Sequence, residues 1–130
     1  MACLDTSFII DLFHGNLKAK EISQELSERE MQLSITTPTI MELWSGACLS
    51  VRSKQEKEKI LQLLQSLEVL DLTREAAFEA GEIEAQLLKQ GKTIDPEDCM
   101  IAGIVKANNE TIVTGDRHFT FIEGLKVLKY

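Results

Sequence analysis

The sequence predicts an α/β fold in which helices cover a mostly parallel sheet of about five strands. Short runs of apolar or β-branched residues alternate with longer segments of helical periodicity along the whole chain. Capping residues and glycines stand between many of these segments, where helices are expected to begin or end. The 130 residues, 44% hydrophobic and 27% charged, suit a single domain, residues 1–130, that has its own core.

The candidate strands are short and rich in apolar or β-branched residues. They comprise residues 2–5, 31–36, 69–72, 111–114 and 126–130. Six helices are predicted between them, at about residues 7–14, 17–29, 38–49, 52–67, 74–90 and 96–108. In the fourth helix, five apolar residues are expected to face the core: Ile60, Leu61, Leu63, Leu64 and Leu67.

Residues with known capping preferences mark the predicted helix boundaries. The expected N-terminal caps are Thr6 or Ser7, Thr37 before Pro38, Thr73, and Asp95 before Pro96. The expected stops are Gly15 and Gly91, because glycine readily adopts the left-handed conformation that ends many helices.

The chain is acidic, with a formal net charge of −7. Taken alone, this charge disfavours nucleic acid as a partner, because phosphate binding draws its affinity from Lys and Arg. An acidic protein can still act on RNA if some of its acids hold cations and its basic residues gather on one patch. The best such patch contains Arg52, Lys54, Lys57 and Lys59, although Glu56 and Glu58 interrupt it.

Three widely spaced cysteines, Cys3, Cys48 and Cys99, form no C-x-x-C motif. Their apolar surroundings predict buried free thiols and a reducing, cytoplasmic setting. The N-terminal segment lacks the basic start of a signal peptide and carries Asp5 within its apolar stretch. No apolar run approaches the roughly 20 residues that a membrane span needs, so no membrane association is expected.

Four acidic residues follow or begin elements that meet at one edge of the predicted sheet. Asp5 ends the first strand, Glu42 lies early in the helix after the second, Asp98 lies in the first turn of a later helix, and Asp116 follows the fourth strand. Loops at the carboxyl ends of parallel strands gather where α/β proteins bind ligands. The four carboxylates are therefore expected to converge.

Converging carboxylates favour a divalent cation. Two of them about 5 Å apart repel by about 3 kcal/mol at an effective dielectric constant of about 20, and a metal ion removes that cost. Mg²⁺ and Mn²⁺ prefer oxygen ligands, and such a site can deprotonate water and stabilise charge on a phosphate. Each acid also has a purely structural alternative. Asp5 and Asp98 can stabilise the start of a helix, Asp116 can be a turn residue, and Glu42 can lie on a solvated helix face. The location of all four acids at one edge of the sheet favours a shared functional site.

Four segments carry a family resemblance: LDTSFIIDL, TIMELWSGA, IDPEDCMIAGIV and IVTGDRHFTFIEGLKVL. In this order and spacing they resemble a PIN domain, and most closely the VapC-type toxins of prokaryotic toxin–antitoxin pairs. The motifs D-x-x-I-A at residues 98–102 and T-x-D-x-x-F at residues 114–119, followed by G-L-K-V, are the specific part of the match. The resemblance covers nearly the whole chain.

The resemblance implies a three-layer α/β/α fold, an endoribonuclease that depends on Mg²⁺ or Mn²⁺, a homodimer, and a VapB-like antitoxin as partner. It assigns Asp5, Glu42, Asp98 and Asp116 to the catalytic and metal-binding quartet, with Thr6, Ser7 and Thr114 in support. Gly103 departs from the alanine that is frequent in the family, a difference expected to be harmless. Asp95 is an extra acid, for which helix capping is the favoured role and participation in the site through a water molecule is the alternative.

Several other residues have less specific roles. Arg117 and His118 are candidates to contact RNA phosphates, with a surface role as the alternative. Trp44 lies off the face of Glu42 and is expected in the core or an interface. A stripe of small residues predicts close helix packing, within the fold or across a dimer: Ala76, Ala77, Ala80 and Gly81.

Other functional classes fit less well. A receiver domain needs paired acids after the first strand and a lysine where Gly115 and Asp116 stand. A haloacid-type phosphatase needs a second aspartate where Ser7 stands. A PIN nuclease of RNA processing that is not a toxin, and a non-catalytic metal- or RNA-binding module, remain as alternatives.

Overall fold

The computed structural model describes residues 1–130 and contains one parallel sheet of five strands. The strands are β1 (Ala2–Leu4), β2 (Leu33–Thr36), β3 (Glu68–Leu70), β4 (Thr111–Thr114) and β5 (Lys126–Lys129). Their order is β3-β2-β1-β4-β5, and each neighbouring pair is parallel. The predicted α/β class is confirmed, with the sheet parallel throughout.

Six α-helices and one short 3₁₀ helix connect the strands. The α-helices are α1 (Thr6–Phe13), α2 (Leu17–Glu28), α3 (Thr37–Leu49), α4 (Ser53–Leu64), α5 (Arg74–Lys89) and α6 (Pro96–Ala107). The 3₁₀ helix, Arg117–Phe121, occupies part of what the sequence predicted as a loop after β4. No helix combines the length and apolar character needed to cross a membrane.

Helices cover both faces of the sheet, which gives the three layers that the resemblance implied. Adjacent residues of a strand point to opposite faces, and in β4 Val113 belongs to one core cluster while Ile112 belongs to another. The Val113 cluster includes Phe8 of α1 and Leu43 of α3. The Ile112 cluster includes Ile101 of α6, together with residues of α5.

The topology defines where a ligand can bind. From β1 the chain proceeds to β2 and β3 on one side, whereas β4 and β5 lie on the other side. The crevice outside the carboxyl ends of β1 and β4 is therefore the topological switch point, where open α/β sheets bind their ligands. The first residues of α1 and the 3₁₀ helix border this crevice.

Two helix caps differ from the prediction. The N-cap position of α1 is Asp5, not Thr6 or Ser7, and its side chain makes no capping hydrogen bond. Both hydroxyls instead bind other segments of the chain, so tertiary contacts outweigh local capping. In α3 the cap is Thr36, one residue earlier than predicted, and its side chain accepts a hydrogen bond from the Thr39 amide.

The other predicted helix boundaries are found in place, but not every predicted cap forms a side-chain hydrogen bond. Thr73 accepts a hydrogen bond from the Ala76 amide and caps α5 as predicted. Gly15 and Gly91 have φ angles of 76° and 71°, as expected for glycines that follow a helix. Asp95 occupies the predicted N-cap position of α6, but its side chain makes no capping hydrogen bond.

Two burial predictions are also wrong. Leu61 is 53% exposed, because α4 packs on the core through Ile60, with Leu63 and Leu64 partly buried beside it. Cys48 is exposed, unlike Cys3 and Cys99. Its apolar neighbour Leu49 is itself 85% exposed, so an apolar stretch of sequence does not guarantee burial.

Candidate active site

Three of the four predicted acids border the switch-point crevice directly, and the fourth is held there by a threonine. Asp5 follows β1 and is buried, and Asp116 follows β4 and begins the 3₁₀ helix. Asp98 lies in the first turn of α6 and is half-buried. Glu42 lies on α3, half-buried, and accepts a hydrogen bond from Thr6 of α1.

The carboxylates are close enough to shift one another's protonation. Burial raises the pKa of the Asp98 carboxyl group to about 7, together with the charges of the other three acids, of which Asp5 acts most strongly. Burial also raises the pKa of Glu42, with further contributions from the charges of Glu97, Asp5 and Asp95. The structure thus brings the four predicted acids into one electrostatic cluster.

Asp5 lies at the centre of a hydroxyl network. Its Oδ2 atom accepts hydrogen bonds from Ser7 Oγ at 2.8 Å and Thr114 Oγ1 at 2.7 Å. Its Oδ1 atom is buried and has no hydrogen-bond partner. Burial raises the pKa of Asp5, while the two hydroxyls act in the opposite direction. One oxygen is therefore fixed in place, and the other is available to a cation.

Contacts with Thr114 and His118 orient Asp116. Its amide donates to Thr114 Oγ1 at 2.9 Å, so the hydroxyl that binds Asp5 also positions the start of the 3₁₀ helix. The Asp116 Oδ1 atom accepts a hydrogen bond from the His118 amide at 2.9 Å and lies 2.6 Å from His118 Nδ1. These contacts fix the orientation of the carboxylate.

Glu42 is tied to the site by threonine hydroxyls. Thr6 Oγ1 donates to Glu42 Oε1 at 3.0 Å and lies 3.2 Å from Thr39 Oγ1. Thr36 Oγ1 in turn donates to Thr39 Oγ1 at 3.1 Å. The hydroxyls predicted to support the acids, Thr6, Ser7 and Thr114, each bond to one of them.

A cavity of about 290 Å³ opens beside the acids. Its lining consists of Thr93, Ile94, Asp95, Asp98, Asp116 and His118. Asp95 therefore lines the same space as two residues of the quartet. Of the two predicted RNA contacts, His118 lines this cavity, whereas Arg117 does not.

The donor set suits a hydrated divalent cation rather than a closed metal cage. No three Asp, Glu, His or Cys side chains surround a single point closely enough to enclose an ion. Mg²⁺ commonly binds through one or two carboxylates and keeps several of its waters, so a closed cage is not required. The free buried Oδ1 of Asp5 and the mutual repulsion of the acids fit such an ion, with Asp98 and Asp116 as further ligands.

Sequence reasoning missed three residues that shape the site. Thr39 is buried in the hydroxyl network, and Glu97 is first among the charges that raise the pKa of Glu42. Tyr130 donates to Asp11 Oδ2, and its hydroxyl oxygen would lie 3.0 Å from a Cβ atom added at Gly115. Glu97 lies two residues after the predicted cap Asp95, and this position could have indicated that it belongs near the site. Nothing in the pattern marks the other two.

The basic patch predicted on α4 lies outside this site. Lys57 lies 5.3 Å from the centre of the Trp44 ring, and Lys59 lies 5.9 Å from the centre of the Phe13 ring. The acidic cavity is lined by none of the four basic residues of the patch, Arg52, Lys54, Lys57 and Lys59.

The sequence profile of the PIN domain matches residues 2–125. The chain belongs to the PIN-domain family. The match includes the motifs at residues 98–102 and 114–119 on which the sequence resemblance was based.

Curated relatives extend this similarity over nearly the whole PIN domain. The chain is 31% identical over 125 residues to the tRNA(fMet)-specific endonuclease VapC of Salmonella typhimurium, covering 95% of this chain and 93% of the relative. It is 32% identical over 124 residues to the protein of the same description from Shigella flexneri, covering 95% and 92%. The predicted resemblance to VapC ribonucleases is confirmed.

Solved structures show the same fold. The DNA-bound VapBC of Salmonella typhimurium gives a TM-score of 0.87 at 30% identity, covering 98% of this chain and 96% of that chain. VapBC-1 of nontypeable Haemophilus influenzae gives a TM-score of 0.84 at 27% identity, with the same coverage.

Proposed function

We propose that this PIN domain is a metal-dependent endoribonuclease and the toxin of a toxin–antitoxin pair. The observation that carries the proposal is the acidic cluster of Asp5, Glu42, Asp98 and Asp116 at the switch point of a chain similar to VapC ribonucleases. Mg²⁺ or Mn²⁺ is the proposed cofactor, and RNA is the proposed substrate. The curated relatives, two of them named as tRNA-specific endonucleases, support this choice of substrate.

The chain's own residues prepare the site in three ways. Ser7 and Thr114 hold one oxygen of Asp5, and its other oxygen, which has no hydrogen-bond partner, would be a ligand for the cation. The bound ion supplies a water of lowered pKa and neutralises charge on the scissile phosphate. Thr6 holds the Glu42 carboxylate in place, and this carboxylate would accept a hydrogen bond from an attacking water molecule and orient it.

Protonation of Asp98 links metal affinity to pH. Because burial and its acidic neighbours raise the pKa of Asp98 to about 7, this group carries a proton for part of the time at neutral pH in the absence of metal. A cation must displace that proton, so metal affinity rises as the pH increases through about 7. Cleavage at limiting metal is expected to rise with it.

A metal titration tests the proposed function. We expect RNA cleavage in Mn²⁺ and none in EDTA, together with a melting temperature that rises with Mn²⁺ concentration. Binding to the folded state alone stabilises it by about 2.7 kcal/mol at a hundredfold excess over the dissociation constant. The variant Glu42→Gln should show a smaller rise, because one carboxylate of the cluster is lost. Equal rises in both proteins would place the metal elsewhere, and binding without cleavage would favour a non-catalytic module.

The proposed partner is a VapB-like antitoxin. The solved structures similar to this chain include VapBC complexes from three bacteria, which supports such a pairing. The metal-free acidic cluster attracts cations, and the guanidinium group of arginine offers five donors in a planar fork that fits carboxylates. We propose that an arginine or lysine of the antitoxin enters the cavity beside Asp98 and Asp116 and competes with the metal.

A peptide titration tests this mode of inhibition. The C-terminal peptide of the cognate antitoxin should bind the double variant Asp5→Asn, Asp98→Asn clearly less tightly than the wild type. Excess Mn²⁺ should compete with the peptide in the wild type only, and salt should slow association because long-range attraction is screened. A peptide whose cationic residue is replaced by alanine is the matched control. Equal affinity for both proteins, unaffected by Mn²⁺, would place the contact outside the cavity.

A further inference from the structure

An exposed aromatic ring lies next to His118, an imidazole that lines the acidic cavity, and it also has an ammonium group beside it. The residues are Phe121 and His118 of the 3₁₀ helix and Lys92 of the loop before α6, and we call them the aromatic patch. The His118 and Phe121 ring centres are 5.8 Å apart at an angle of 86°. Lys92 Nζ lies 5.0 Å from the centre of the Phe121 ring. The patch adjoins the cavity because His118 lines both.

The exposure of Phe121 is not required by the fold. Two residues earlier in the same short helix, Phe119 is buried in the core, whereas Phe121 is 40% exposed. His118 is held in its orientation by Asp116, whose Oδ1 atom lies 2.6 Å from His118 Nδ1. The patch therefore presents an aromatic ring beside an acid of the proposed catalytic cluster, with its neighbouring imidazole held in place.

Local charge matters here because the cavity itself repels a phosphate backbone. Three of the residues that line it, Asp95, Asp98 and Asp116, are acids. Lys92 supplies a cation directly beside the ring, and its flexible stem allows the ammonium group to move from the ring to a nearby phosphate. An aromatic surface next to a mobile cation is the combination that binds single-stranded nucleic acid without base pairing.

We propose that the aromatic patch is a nucleotide subsite in which an unpaired RNA base stacks on the Phe121 ring while Lys92 contacts a phosphate beside it. The proposal rests on the proposed function, because it places the scissile phosphate over the neighbouring acidic cavity. The substrate segment at this position is then single-stranded, since a base within a duplex cannot leave its stack without cost. Binding does not depend on the identity of the base, because every base has a face that can stack.

Equilibrium binding in a cleavage-deficient background tests the subsite directly. The parent protein is Asp98→Asn, and the probe is a short single-stranded RNA that contains 2-aminopurine, whose fluorescence falls when the base stacks. We expect Phe121→Leu to raise the dissociation constant about tenfold, within the range of one lost base–aromatic stack, and to remove the quenching. Phe121→Trp should retain both tight binding and quenching. A duplex of the same sequence should bind the parent and Phe121→Leu equally.

Phe78 provides a matched control. It is 64% exposed, and the Arg74 guanidinium lies 5.9 Å from its ring centre. Arg74 does not line the acidic cavity, unlike His118 beside Phe121. Phe78→Leu should leave binding and quenching unchanged. A second variant, Lys92→Gln, should lower the dependence of log K on log salt concentration by about 0.7, the value for one phosphate contact on a single strand.

The outcomes separate this proposal from the proposed function. If the wild type cleaves RNA but Phe121→Leu binds and quenches like its parent, the subsite is wrong and the nuclease stands. If the wild type never cleaves but quenching still depends on Phe121, the subsite stands and the nuclease is wrong. An absence of quenching in the parent protein, or an equal loss of affinity in Phe78→Leu, overturns the subsite.

Discussion

Replacement of Asp98 by asparagine should lower the rate of RNA cleavage by a factor on the order of a thousand and leave the protein folded. Asp98 is the acid whose protonation responds to all three other members of the cluster, so its carboxylate faces the point where their charges meet. Loss of one preorganised electrostatic group in an active site costs about 10²- to 10³-fold in rate. Single-turnover cleavage in Mn²⁺ measures the effect. Asp5→Asn should behave similarly.

The stability of the same variant has a predictable sign. The folded state raises the pKa of Asp98 above its ordinary value, to about 7, so without metal the folded protein binds this proton more tightly than the unfolded chain. Metal-free stability due to this group is therefore retained at acidic pH and lost as the pH rises from about 4 through about 7. Asp98→Asn removes that loss, and in EDTA at pH 8 it should be at least as stable as the wild type.

Glu58→Gln is the matched control for charge, because it removes one carboxylate from an exposed position on α4. It should cleave RNA at the wild-type rate and keep the wild-type dependence of melting temperature on pH. Cleavage by Asp98→Asn at the wild-type rate would show that the site assignment is wrong. Outright unfolding of Asp98→Asn would show that the carboxylate has a structural role at the start of α6.

The sequence predicted the sheet and the convergence of the acids for the same physical reason. Short runs of apolar and β-branched residues mark the strands, and parallel strands joined by helices place all following loops at one edge. Asp5 and Asp116 had to meet once β1 and β4 were neighbours, and Thr114 is in place to bond both. The proximity of Asp5 and Asp116 could be predicted because they follow neighbouring strands, whose positions the topology determines.

Local signals failed where a side chain had a choice of partners. The Thr6 and Ser7 hydroxyls satisfy helix-capping rules, yet they bond Glu42 and Asp5 instead. Asp95 lines the acidic cavity and makes no capping hydrogen bond to the amides of α6. For the two hydroxyls, the partners distant in sequence are Glu42 for Thr6 and Thr114 for Ser7. No pattern within a single segment reveals such a partner. Glu110, buried with Ser34 at the opposite edge of the sheet, was missed for the same reason.

The packing of α5 against α6 depends on small residues, but only some of the predicted stripe takes part. Ala76 and Ala80 are buried between the helices, whereas Ala77 and Gly81 are exposed beside a shallow cavity. The close approach is made possible by Gly103 on α6, the position where the family resemblance would allow alanine. The sequence could not show this, because the required size depends on how near α5 lies.

Gly103→Ala should destabilise the protein by about 1–3 kcal/mol, the usual cost of overpacking a core. A Cβ atom at this position would lie 2.6 Å from the Ala76 carbonyl oxygen and 2.7 Å from the Ala80 amide nitrogen. Both are backbone atoms of a helix, so they cannot move aside without separating α5 from α6. The strain exceeds the roughly 1 kcal/mol that alanine gains over glycine through helix propensity. Because α6 also carries Asp98, cleavage should fall along with the melting temperature.

Gly81→Ala, in the same pair of helices, separates the gain in helix propensity from the cost of overpacking. Nothing lies within 4 Å of a Cβ atom at Gly81, so only the gain in helix propensity remains. This variant should be more stable than the wild type by up to about 1 kcal/mol, a few degrees in melting temperature for a domain of this size. Thermal unfolding of both variants in EDTA, where no metal contributes, gives the comparison. If Gly103→Ala were stabilised as much as Gly81→Ala, α5 and α6 would lie farther apart than described, and the position of Asp98 that depends on them would need to be revised.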